Sequence, residues 1–142
     1  MIETNNKRNS TMKMSESYFA ALGNQLGLDI KPQEDENLLV ATVNDQIPIV
    51  IRDNEDARRI DLTAVVAPEL PENISYSTMM DLLDTALGPL FDAPGIGRDP
   101  ESGAIVLYML VSHTTTTPAE FAEAVSAFID LAKTVTDRLA NL

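Results

Sequence analysis

Residues Gly95 to Phe121 read GIGRDPESGAIVLYMLVSHTTTTPAEF, and this stretch carries a strand, a turn, a second strand and a helix start in succession. Ile96 to Asp99 predicts a short strand, Pro100, Glu101, Ser102 and Gly103 a turn, and Ala104 to Ser112 a longer strand. The long strand is apolar on both sides, with Ile105, Leu107, Met109 and Val111 alternating against Val106, Tyr108 and Leu110. Successive strand side chains point to opposite faces, so both faces of this strand are expected to be covered, part of the cover coming from a partner. Thr117, Pro118 and Glu120 then occupy the N-cap, N1 and N3 positions of a capping box. Phe121, Ala124, Val125, Phe128, Leu131, Ala132, Val135 and Leu139 continue at helical spacing, which predicts a helix of about twenty residues or more.

Upstream, three more strand-like runs follow one another: Leu38 to Val43, Gln46 to Ile51 and Ile60 to Val66. Asn44 and Asp45 suit a tight hairpin, and Asp53, Asn54, Glu55 and Asp56 a looser, solvated connection, so the three runs predict an antiparallel meander. Ile47, Ile49 and Ile51 share one face of the middle run. Pro48 lies within it and cannot donate a ladder hydrogen bond, which places its amide position at an unpaired margin or a bulge. Before the meander, Tyr18, Phe19, Leu22 and Leu26 fall along one face of a helix over Ser15 to Leu26, with Gly27 at its end. After it, Pro68 and Pro71 mark a linker. A helix from Ser77 to Leu87 comes next, with Met79, Leu82, Leu83, Ala86 and Leu87 as its stripe and Leu90 as a candidate extension, ended by Gly88 and Pro89. The order αβββαββα predicts an α+β sandwich on a five-stranded antiparallel sheet.

The chain has 142 residues, 44% of them hydrophobic, which suits one core. Met1 to Met14, rich in Asn, Ser, Thr and Lys without apolar periodicity, reads as a disordered arm, and residues 15–142 as a single domain. The formal net charge is −12. Residues 15–142 carry 7 basic against 21 acidic side chains, a net of −14. Such a body repels phosphate backbones and anionic bilayers, so neither nucleic acid nor membrane insertion is expected. No stretch approaches the ~18 apolar residues of a membrane span, and no apolar h-region marks a secretory signal. The absence of Cys removes disulfides, thiol nucleophiles and thiolate metal sites, and suits a reducing compartment.

Several local strings within this order resemble the class I chaperones of bacterial type III secretion, the Tir chaperone family. They are Gln25, Leu26, Gly27 and Leu28 closing the first helix, the strand Ile47 to Val50, Leu70 and Pro71 ahead of the second helix, and Leu82 and Leu83 within it. The second hairpin is the most specific, where Gly97, Arg98, Asp99, Gly103 and Ile105 to Leu107 look like the family's Gly-x-Asp, turn-Gly and strand pattern. The chain departs from many relatives in reading Thr85, Ala86, Leu87, Gly88 and Pro89 where they end the second helix in Ala-Asn, and in having no Trp in its last helix.

The resemblance implies a cytoplasmic bacterial homodimer that holds the N-terminal segment of one or a few secreted effectors in extended form, with the secretion ATPase as a further partner. An extended client adds a strand to an open edge and drops alternate side chains into surface grooves. Leu22, Leu26, Leu38, Val40, Ile47, Ile49 and Val50 are the candidate client contacts, and Met79, Leu83, Leu87, Val106 and Tyr108 the candidate dimer contacts. Each of these apolar residues taken singly is more often plain core. No cofactor, metal or catalytic step is expected. His113 is the only histidine and reads as a solvated loop residue, since the sequence offers no Gly-x-Ser-x-Gly elbow and no second His for a metal pair. The competing reading is a non-secretory protein-interaction or sensory domain of the same fold, because a fold does not fix a function.

Overall fold

The computed structural model describes residues 38–43 and 45–141. The expected helix over Ser15 to Leu26 and the arm before it lie outside these residues. Five strands form one antiparallel sheet in the order β1-β2-β3-β5-β4: β1 is Leu38–Val43, β2 Ile47–Asn54, β3 Arg59–Ala67, β4 Gly95–Arg98 and β5 Ile105–Ser112. Helix α1 spans Tyr76–Ala86, a 3-10 turn follows at Gly88–Phe91, and α2 spans Pro118–Ala140. The architecture is α+β, as the sequence predicts.

Period-two burial fixes which face is which. Leu39 and Val43 of β1, Ile47, Ile49 and Ile51 of β2, Ile60, Leu62, Ala64 and Val66 of β3, and Ile105, Leu107 and Val111 of β5 are buried on a single face. Helix α2 lies over that face, mainly against β3, and buries Phe121, Val125, Phe128, Ala132 and Leu139 into it. Their spacings of four, three, four and seven residues keep one stripe on the sheet along the helix. The helix starts where the sequence places it. Thr117 Oγ1 accepts from Glu120 N at 3.2 Å, and Glu120 Oε1 accepts from Thr117 N at 3.1 Å.

The connections are set by local chemistry. In the first hairpin Asp45 takes a left-handed φ of 56° and Gln46 N donates to Val43 O. In the second, Arg58 has φ 53°, Arg58 N donates to Glu55 O, and Asn54 Oδ1 accepts from Ala57 N. In the third, Gly103 has φ 79°, a conformation only glycine adopts without strain, and its N–H donates to Asp99 O at 2.8 Å. Asp99 also accepts from the Glu101 amide and from the Ser102 hydroxyl, and these bonds, the amide first, hold its carboxyl below 3.8. Pro48 pairs in register with Thr42 on β1, while the ladder with β3 stops at Ile49 and Ala64, so the proline sits just past the end of that ladder.

Two expectations are corrected. Strand β2 continues through Asn54, so Asp53 is a buried strand residue and not part of a solvated turn. His113 is likewise not a solvated loop residue: its Nε2 lies 2.8 Å from Asp53 Oδ1, and the two side chains are 6% and 2% exposed. His113 N also donates to Arg58 O, so the start of the α2 connection is tied to the end of the β2-β3 hairpin.

Candidate functional site

Helix α2 covers one side of the sheet. The opposite side is formed by rows that run across the strands. Leu38, Arg52, Asp61 and Leu110 make one row, and Val40, Val50, Thr63, Tyr108 and Gly95 the next. Val40 is 44% exposed and Leu110 is exposed, while Leu38, Val50, Val65, Val106 and Tyr108 are half-buried. Strand β1 ends the sheet at this side, and an edge strand presents unpaired N–H and C=O groups.

The expected client contacts divide between the two faces. Leu38, Val40 and Val50 stand on the open face, whereas Ile47 and Ile49 point into the core, 3% and 2% exposed. Leu22 and Leu26 lie outside the described residues. The division follows from strand geometry, since residues 47 and 49 differ from 50 by one step of the pleat.

A second apolar surface lies on α1. Thr78 and Leu82 turn inward, Thr78 bonding the N-cap Ser75 and Leu82 packing on the core. The other side presents Tyr76, Met80, Leu83 and Leu87, spaced four, three and four residues apart. Leu83 is 57% and Leu87 55% exposed, and Leu90 and Phe91 of the 3-10 turn extend the patch. Of the expected dimer contacts, Leu83 and Leu87 belong to this stripe and Met79 is half-buried beside it. Val106 and Tyr108 sit on the open sheet face.

Tyr76, Met80 and Phe91 were missed by sequence reasoning, and Leu110 was read only as part of one face of the doubly apolar strand. The helical pattern is apolar on two sides, so periodicity selects no single stripe, but an Ala-poor helix with apolar residues on both sides is itself the signal of a second partner.

The two surfaces meet at the β4 edge. Tyr108 lies over Gly95, where an added Cβ would stand 2.8 Å from the phenol ring and from Pro89 Cδ. At Gly88 a Cβ would collide with the Pro94 carbonyl, so the chain turns tightly here, carrying Leu90 and Phe91 around the sheet margin. Asp81 of α1 and Arg138 of α2 form an ion pair that links the two helices. Among the described residues no group of three or more His, Cys, Asp or Glu is placed to hold a metal ion, and no helix is long and apolar enough to cross a membrane.

Comparison with known proteins gives one family and a set of related folds. The model of the Tir chaperone protein (CesT) family matches residues 19–136. Among curated proteins there is no match. A chain of the HopA1–SchA chaperone–effector complex superposes with a TM-score of 0.67 at 16% identity, covering 87% of this chain and 95% of that one. The ExsC–ExsE complex gives 0.66 at 15% identity, covering 92% and 94%. The Yersinia pestis type III secretion chaperone SycH, solved with a stable fragment of YscM2, gives 0.61 at 18% identity, covering 85% and 98%. At these identities the structures establish likeness of fold.

Proposed function

The chain belongs to the Tir chaperone protein (CesT) family, and we propose from that membership that it is a type III secretion chaperone binding the N-terminal segment of a secreted effector in extended form. The observation that carries this reading is the sheet. Helix α2 packs on one side of the five-stranded sheet, mainly on β3, while among the described residues the other side keeps a band of partly open apolar side chains beside the edge strand β1. An extended segment laid along β1 would satisfy its free backbone groups and bring every second side chain over Leu38, Val40 and Val50. Ile47 and Ile49 support that face from the core side. Binding of this kind keeps a client unfolded and soluble by covering its apolar residues, and needs no catalytic step.

Self-association would use the other surface. The stripe Tyr76, Met80, Leu83 and Leu87 is continuous and apolar, the form a two-fold interface takes when a helix meets its own copy. Met79 on α1 and Val106 and Tyr108 on the open sheet face are included in this reading on the strength of the family likeness. A cytoplasmic homodimer that presents client to the secretion ATPase is therefore the full reading.

The test is co-expression with the products of neighbouring genes, followed by pull-down and limited proteolysis. A co-purifying partner should show a protease-resistant N-terminal stretch of some tens of residues. The double variant Val40→Asp, Val50→Asp should stay folded and lose it. Retention of the protected client by that folded variant would refute docking on this face. Ile49→Asp is unsuitable for the purpose, because a charge at a core position unfolds the sheet.

A further inference from the structure

Among the described residues only three charged side chains stand on the open face of the sheet, Arg52, Arg59 and Asp61. Residues 15–142 carry a net of −14, yet the described residues of this face are net positive by one charge. Arg59 Nε donates to Asp61 Oδ1 at 2.7 Å, so Asp61 is already engaged. Arg52 stands between Leu38 and Asp61 in the same row and is exposed, and no acidic side chain among the described residues forms an ion pair with it.

We infer that Arg52 reads a carboxylate in the client, so that the preferred segment carries a glutamate flanked at alternate positions by apolar residues. The inference rests on the reading that an extended client docks beside β1, and it names the chemistry that distinguishes one client from another. Geometry selects the residue type. Arg52 lies on β2, so a client strand paired to β1 is two strand spacings away, about 10 Å. The arginine stem and a glutamate side chain reach across that gap over Leu38, whereas the shorter aspartate reaches less well. The apolar neighbours follow from the adjacent row, where Val40 and Val50 meet client residues two positions along. Guanidinium and carboxylate match as a bidentate pair, which adds orientation to attraction.

The test uses a displayed library of random peptide segments selected against the full-length wild-type protein and against Arg52→Gln, Arg52→Glu and Val40→Asp. Wild-type selection should enrich Glu two positions from Leu, Ile or Val. That Glu should fall to background with Arg52→Gln and be replaced by Lys or Arg with Arg52→Glu. For individual enriched peptides, replacing the Glu by Gln should weaken wild-type binding by about fivefold, the size expected of one charge pair near a protein surface. Enrichment of alternating apolar residues without Glu, lost in Val40→Asp, would leave the client-binding face standing and overturn the role of Arg52. An equal frequency of Glu in the wild-type and Arg52→Gln pools overturns it too. Absence of any apolar pattern with the wild type would overturn both.

Discussion

Replacing Leu83 and Leu87 together by Glu should convert a dimer into a folded monomer. Full burial of a leucine side chain is worth roughly 1.5–3 kcal/mol relative to full exposure. Leu83 and Leu87 keep 57% and 55% of their surface open in the protomer. The part still to be buried therefore carries about 1–1.5 kcal/mol per residue. Two residues on each of two protomers contribute about 4–6 kcal/mol, and with tenfold per ~1.4 kcal/mol the dissociation constant should rise by about three to four orders of magnitude. Like charges facing one another add to this. The assay is light scattering and sedimentation velocity over a micromolar concentration series, with circular dichroism as the control for folding. The wild type should run at twice the protomer mass of 15.5 kDa and the variant at the protomer mass with an unchanged spectrum. A wild type at 15.5 kDa throughout, or a variant that stays dimeric, would refute the assignment of the α1 stripe.

Three further outcomes follow from the fold. Thr117→Ala removes a side-chain acceptor from the capping box of α2 and should destabilise by about 1 kcal/mol, read as a melting temperature lower by about 3–5 °C. Asp53→Ala or His113→Ala leaves one member of a buried polar contact behind and should destabilise by about 1–3 kcal/mol, while the double apolar variant Asp53→Leu, His113→Phe recovers most of that loss in chemical denaturation; single variants as stable as the wild type would show that the pair does not tie the β2-β3 hairpin to the α2 connection. The Asp99 carboxyl is held below 3.8 in the folded state, so its contribution is present above 3.8 and disappears as pH falls through the lower folded value; thermal melts of Asp99→Asn should accordingly decline less steeply below pH 3.8 than those of the wild type.

The elements read most clearly from sequence are those whose signals are local. Strand β1 runs from Leu38 to Val43 as expected, and α2 begins at Pro118 because Thr117, Pro118 and Glu120 satisfy the first turn among themselves. The features that escaped are non-local. Asp53 has the polarity of a turn residue, and its inward orientation depends on His113 arriving from the far end of β5, a pairing that no window around either residue contains. The open face of β1 and β2 was illegible for a related reason. Both sets, Val40 with Val50 and Ile47 with Ile49, are apolar, and only the packing of α2 decides that the isoleucines go under. On α1, the surplus of apolar positions was visible, but which stripe stays outside is settled by the side that packs on the core, where Leu82 lies against it and Thr78 is buried.

The two exposed surfaces differ in a way that suits two kinds of partner. The α1 stripe joins Tyr76, Met80, Leu83 and Leu87 without a charged residue among them and continues into Leu90 and Phe91. Interfaces that never open resemble a core cut in half, so such a stripe fits a partner that stays. The sheet face instead mixes Val40, Val50 and Leu110 with Thr63, Arg52 and the Arg59–Asp61 pair. It remains wettable when empty, because its polar row is hydrated and its apolar positions are half-covered already, and such mixed surfaces are typical of partners that come and go. A chaperone that hands its client on needs that asymmetry. If the sheet face were as apolar as α1, release would require the loss of the whole burial term at once. The net charge of −12 then works against non-specific self-association, which leaves the apolar stripe as the surface where burial can outweigh repulsion.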